Sequence, residues 1–233
     1  MECNLCGCSS FYGKATTGEI ICRQCHSFPR TRLLAMFLER EPMDSSTRVL
    51  HLAPEEGLYN RLKTKISPGN YHVRDFNPDR YKFCPDIERI DLCNLSESEL
   101  PTEHYDLVIH SHVLEHTPCS LAYTLFHIHR SLKPQGKQIC VIPFMYGEWD
   151  ESFKEIGDEE RSRRFGQFDH VRRIGRADVA RHPGKIVNIP AAYSALDHFS
   201  ADELRQFNIP ETEWNGLTIS TVLILRKQDY LLQ

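Results

Sequence analysis

Tyr105-Asp106-Leu107-Val108-Ile109-His110 is a short, almost unbroken apolar run. A run of this length reads as a strand, and apolar side chains at successive positions mean burial on both faces, the situation of a strand inside a parallel sheet. Working outward, 120–132 predicts a helix, 133–136 (Lys-Pro-Gln-Gly) a turn and 137–144 another strand. Upstream, 47–53 reads as a strand, 58–66 as a helix and 70–76 as a strand ending beside an acid, Asp75. Near the end, 200–204 opens like a capped helix and 217–226 is a β-branched strand able to close the sheet. Strands alternating with helices predict an α/β fold: a Rossmann-like, doubly wound, mostly parallel sheet covered on both faces.

The chain has 233 residues, 40% of them hydrophobic and 26% charged. That composition excludes fibrous and disordered classes and allows one large domain with a small appendage. No apolar run approaches the roughly 20 residues that span a bilayer, and Met1-Glu2-Cys3-Asn4 lacks the basic and apolar regions of a secretory signal. A cytoplasmic protein with no membrane partner is expected. The net charge of −4 gives no support to wholesale neutralisation of nucleic-acid phosphates, although a local patch stays open. Nine cysteines without an export signal point to metal ligation and buried thiols in place of a disulfide framework.

Cys3-x2-Cys6 and Cys22-x2-Cys25 are separated by fifteen residues, the spacing by which two tight turns present four thiolates to zinc. A zinc ribbon is expected over 1–28, with a closed and therefore structural metal site. Cys8 and His26 are adjacent donors, either of which could replace one of the four. Pro29 and the stripe Leu33, Leu34, Phe37 and Leu38 predict a helix in the linking segment 29–46. Arg30 and Arg32 precede the stripe, either as solvated helix-face charges or facing substrate. The main domain is expected over 47–233.

Ligands of open α/β sheets lie at the carboxyl ends of the strands. There the chain places the loop Ala53-Pro54-Glu55-Glu56-Gly57, then Asp75, then Asp91, then the segment Ser111 to His116. His112 and His116 are candidate bases or backbone-bonded histidines. His170, beside Asp169 in Gln167-x-Asp169-His170, is the stronger candidate, since an adjacent acid orients it. The stretch 145–197 is long for this fold, and its charge is split. Glu148 to Glu160 holds seven acids and one lysine, whereas Arg161 to Lys185 holds eight basic residues against Asp169 and Asp178. The basic part is either an anion site or one half of a self-paired insertion.

In order, Val49-Leu50-His51-Leu52-Ala53-Pro54-Glu55, Asp75, Asp91-Leu92, His112-Val113-Leu114-Glu115-His116 and Leu132-Lys133-Pro134-x-Gly136 resemble the motifs of class I S-adenosylmethionine (SAM)-dependent methyltransferases. The resemblance covers residues 47–145 well and the tail loosely. It is closest to a bacterial-type subgroup with a Cys-x-x-Cys ribbon ahead of the catalytic domain. Arg30-x-Arg32-Leu33-Leu34 and Phe165-Gly166-Gln167-x-Asp169-His170-Val171-Arg172 also look like that subgroup. The resemblance implies that Ala53, Glu55 and Gly57 lie beneath the methionine part of SAM, and that Asp75 takes the ribose hydroxyls. It further implies that Asp91 and the Leu92 amide read the adenine, and that His110 and Ser111 line the methyl-donor side. Ala53 and Glu55 stand where the family's loop has two of its three glycines.

Methyl transfer from a sulfonium needs alignment of the nucleophile and a group to accept its proton. His170, Asp169 and His116 are the expected catalytic residues, and Gln167, Arg172 and Arg32 the expected contacts to a polar or anionic acceptor, with 145–197 folding over it. The leading expectation is O-methylation of a small-molecule or saccharide-linked acceptor. An RNA or protein methyltransferase reading through the ribbon, and a non-catalytic binding protein on this scaffold, remain as alternatives.

Overall fold

The computed structural model describes residues 1–14, 20–96 and 99–231. An antiparallel pair, β1 (Phe11–Tyr12) and β2 (Ile21–Cys22), is followed by α1 (Pro29–Glu39), β3 (Val49–Leu52), α2 (Glu56–Leu62) and β4 (Tyr71–Asp75). Then come β5 (Glu88–Arg89), β6 (Tyr105–Ser111), α3 (Leu121–Ser131) and β7 (Leu132–Val141). The chain continues through β8 (Phe144–Met145), β9 (Asp150–Glu151), α4 (Asp158–Phe165) and β10 (Arg172–Gly175) to α5 (Ala201–Gln206) and β11 (Val222–Arg226).

Six strands form the central sheet in the order β11-β7-β6-β3-β4-β5. The five inner and early strands run parallel, and β11 pairs antiparallel with β7. Strand order reverses between β3 and β6, so a crevice opens at their carboxyl ends. Alternate residues enter two separate cores: Val49, Leu107, Ile109, Ile139 and Val141 one, Leu50, Leu52, Val108 and Cys140 the other. Period-2 side chains buried on both faces are what the apolar run at 105–110 predicts.

The expected link over 29–46 is no tether. Pro29 sits in the first turn of α1, and nine of the helix's eleven residues are buried, with Leu33, Leu34, Phe37 and Leu38 in the same core as Val49. The turn expected at 133–136 is instead drawn into β7, with a register shift opposite Tyr105 and Leu107. Gly136 permits this, since a Cβ there would stand 2.7 Å from the Tyr105 carbonyl. The last strand starts only at Val222, because Thr218 and Thr221 close a turn before it, Thr218 N donating to Thr221 Oγ1 at 2.7 Å.

The stretch expected as an insertion over 145–197 builds, with Phe144, a small sheet of its own in the order β8-β10-β9, plus α4. The split charge has a local cause. Asp158, Glu159 and Glu160 lie in the first turn of α4, Arg163 and Arg164 in the last, complementing the helix dipole, and Gly166 at φ +90° ends it. Among the described residues no helix is long and apolar enough to cross a membrane.

Candidate active site

A cavity of about 580 Å³ opens at the carboxyl ends of β3, β4 and β6. Of the residues that the sequence nominates, Ala53, Asp75, Asp91, Leu92, His112, His116 and Asp169 line it. Ala53 leaves β3 at φ +48° and His112 leaves β6 at φ +54°, a conformation costly for residues with a Cβ and held here on both sides of the strand-order reversal. Asp75 is fixed at the end of β4: Asn77 N donates to Oδ1 at 2.7 Å and the Tyr81 hydroxyl to Oδ2 at 2.8 Å. Burial and the Asp75 charge push the Tyr81 hydroxyl well up, so it stays a donor. Asp91 Oδ1 accepts from Cys93 N at 2.9 Å, which turns the chain along the cavity.

Beyond β6 the wall is histidine-rich. His112 Nε2 donates to the Ile219 carbonyl at 2.8 Å, leaving Nδ1 as a lone pair 3.4 Å from Glu115 Oε1. Glu115 is 1% exposed, and burial pushes its carboxyl up to about 8. His116 Nδ1 lies 3.5 Å from Asp169 Oδ2, and the His116 and His170 rings meet edge to face at 4.6 Å. His170 itself is buried, its Nδ1 donating to the Phe165 carbonyl at 3.0 Å, and it does not line the cavity. Burial pushes both imidazoles down, so they are held neutral.

Several expected residues point elsewhere. Glu55, at the N-terminus of α2, faces Arg30 at 3.1 Å and not the cavity. Gly57 packs on the ribbon: a Cβ there would stand 3.0 Å from Cys25 Sγ. His110 is buried within the sheet and bonded to the Gln138 amide at 2.7 Å, with burial pushing it down to about 3, and Ser111 is buried with no partner for its hydroxyl among the described residues. Neither lines the cavity. Gln167 is exposed and lies outside the cavity wall.

Arg32 and Arg172 are both fully buried and lie outside the cavity wall. Arg32 donates to the carbonyls of Ser27, Ile20, Phe207 and Asn208 at 2.6–3.0 Å. Arg172 donates to Glu151 Oε1 at 2.7 Å, to Thr117 Oγ1 at 2.9 Å and to the carbonyls of Leu114 and Cys119. Two of the remaining basic residues of the insertion pair with its own acids, Arg164 with Asp150 and Arg163 with Glu160, while Arg161 and Arg173 donate to main-chain carbonyls.

At the other end of the molecule, Cys3, Cys6, Cys22 and Cys25 bring their sulfurs within 4.8 Å of one another. Two pairs stand at 3.5 and 3.6 Å, near the roughly 3.8 Å that four sulfurs take around a tetrahedral zinc. Cys8 turns instead to Ser10 and His26 toward Glu56.

Sequence reasoning missed Tyr81, Phe76 and Thr117 in the cavity wall and gave Glu115 no role. Tyr81 carries no local pattern, since its bond to Asp75 depends on a turn between them. Glu115 was recognisable only as an acid within an otherwise apolar turn.

Residues 30–178 match the model of a family described as a methyltransferase domain. No curated protein matches the chain at a significant level. Among solved structures, an S-adenosylmethionine-dependent methyltransferase from Mesorhizobium loti aligns at 22% identity and a TM-score of 0.40, over 50% of this chain and 54% of that one. A SAM-dependent methyltransferase from Archaeoglobus fulgidus aligns at 25% and 0.39, over 49% and 53%. The YcgJ protein from Bacillus subtilis aligns at 12% and 0.47, over 77% and 79%. The chain thus spans about half the length of the first two.

Proposed function

This chain belongs to the methyltransferase-domain family, and from that premise we propose that it methylates a hydroxyl oxygen of a polar or anionic small-molecule or saccharide-linked acceptor. The observation that carries this reading is one cavity with an anchored acid, Asp75, and a carboxylate–histidine pair, Asp169 and His116, in its wall. Its volume lies within the roughly 300–1,000 Å³ of small-molecule sites. Asp75 has lone pairs to spare for a ribose diol, and Asp91 with Leu92 lies next along the wall for adenine. When bound, SAM supplies an electrophilic methyl on its sulfonium. The chain's own part is to align a hydroxyl with that methyl and to take the hydroxyl's proton on the His116–Asp169 side.

The four-cysteine cluster fits a structural zinc, since all four positions are filled by protein and none is open to water. Nine free thiols suit a reducing cytoplasm.

Calorimetry with SAM or its demethylated product tests the cofactor assignment. A charged hydrogen bond is worth about 1.5–3 kcal/mol, so Asp75→Ala should weaken binding roughly 10- to 100-fold. Unchanged affinity in a folded Asp75→Ala protein rejects it. Cell extract incubated with labelled SAM then identifies the acceptor, and label on RNA or protein would move the reading to those acceptors.

A further inference from the structure

We propose that Glu115, His116 and His170 form a second metal centre, a two-histidine, one-carboxylate site for a divalent transition-metal ion, opening toward the cavity. One ligand atom from each residue lies within 4.8 Å of the other two. Inward shifts of under about 1 Å would bring all three onto an ion at the usual 2.0–2.2 Å.

One ring is prepared for this. His170 Nδ1 donates to the Phe165 carbonyl, which sets that ring's tautomer with the lone pair on Nε2, the arrangement in which ligating histidines are held. His116 Nδ1 stands 3.5 Å from Asp169 Oδ2.

Glu115 supplies the independent sign. It is 1% exposed, and neither carboxylate oxygen has a hydrogen-bond donor among the described residues. Its polar neighbour His112 offers none, because His112 Nε2 already donates to Ile219 and the facing Nδ1 bears a lone pair. A buried carboxylate left this way is costly, and a missing ion is one of the standard reasons for it. Arg30 and Arg172 lend Glu115 positive charge only from a distance, since each makes its direct ion pair elsewhere, Arg30 with Glu55 and Arg172 with Glu151. Among the described residues neither Glu115 nor the adjacent Asp169 has a guanidinium in direct contact, so the negative charge beside the two imidazoles suits a cation.

Of the three ligands only His116 lines the cavity, so the ion's remaining positions would face it and accept an oxygen of the acceptor. With His116 Nε2 on the ion, Asp169 is the member of the pair left to take the acceptor's proton. That catalytic use rests on the methyl-transfer reading, whereas the binding of the ion does not.

The test uses full-length protein with zinc retained in its cysteine cluster, titrated with cobalt(II) and followed by absorption and by metal analysis. Wild type should take up one cobalt per chain, giving weak d–d bands of nitrogen and oxygen ligation without thiolate charge transfer. Glu115→Gln and His170→Gln, checked for fold by circular dichroism, should each take up none. Absence of uptake by wild type, uptake showing only thiolate charge transfer, or full uptake by either folded variant overturns the proposal. If both variants misfold, the wild-type spectrum and stoichiometry decide. SAM binding measured on the same samples separates a failure of this site from a failure of the methyltransferase reading.

Discussion

The ribbon at residues 1–28 and the insertion at 145–197 are both attached to the sheet, each through one fully buried arginine. Arg32 ties the ribbon to the segment after α5 through four main-chain carbonyls, and Arg172 ties the insertion to the turn after β6. The guanidinium fork suits both tasks, because its donors satisfy carbonyls from several segments at once. What differs is the balancing charge. Arg172 has a carboxylate, Glu151, in direct contact. Arg32 has none; burial pushes it down to about 10, and the ribbon's thiolates are what push it back up. The charge of the cysteine cluster is therefore part of the ribbon's attachment, whereas the insertion carries its own counter-charge.

The largest expected effect breaks the symmetry outright. Stripping metal from the cysteine cluster removes a binding energy that in small zinc units is about 10–16 kcal/mol and is their folding energy. Hydrogen exchange should then rise sharply over 1–28 and at the start of α1 but stay near its original level in β8, β9 and β10. Equal loosening of both regions would contradict the comparison.

Next come the arginines themselves. Arg32→Met should cost about 3–5 kcal/mol in urea unfolding, as expected when a buried ionic network loses one member. Arg172→Met should cost less, about 2–3 kcal/mol, because Glu151 is 29% exposed and can turn to water. The reverse ranking would show that the carboxylate contact, and not the number of segments joined, sets the strength of attachment.

Acid acts on the sheet that both regions share. His51 and His110 are held neutral by burial, each pushed down to about 3. Below the unfolded value near 6.5 the unfolded chain binds protons that the folded chain does not. The contribution of these two histidines should therefore be level above neutrality and fall as pH drops from about 6.5 toward 3, by about 1.4 kcal/mol per histidine near pH 5.5. Glu115, pushed up to about 8, acts in the opposite sense, so urea midpoints at pH 7.5, 6.5 and 5.5 are compared in Glu115→Gln, where a rise on acidification would exclude the sign.

The smallest effect sharpens the ribbon side alone. In Gly57→Ala the new methyl meets Cys25 Sγ at 3.0 Å and Leu5 at 3.2 Å. Cys25 cannot yield without disturbing the cluster, so the gain in helix propensity is offset and about 1–2 kcal/mol of docking is lost. Release of metal to a chelator should quicken about tenfold, with the insertion unaffected.

The apolar run at 105–110, the acids at 75 and 91 and the paired cysteines were legible because each is a local pattern: burial on both faces, a residue at a strand end, a spacing between turns. From these follow the α/β class, the parallel sheet, the edge where the cavity opens and the four sulfurs that cluster. The destinations of Arg32, Arg172, Glu55 and Gly57 were not legible, and the charge count over 161–185 gave no sign that Arg172 is buried. Arg32 meets Phe207, 175 positions away, and Arg172 meets Leu114, 58 positions away. A side chain's charge can be read from one position, but the group that balances it, and whether water reaches it, are properties of segments that only folding brings together. Tertiary structure alone thus decided that two buried arginines hold the parts of this chain in place, and that Asp75, Asp169 and His116 line the cavity.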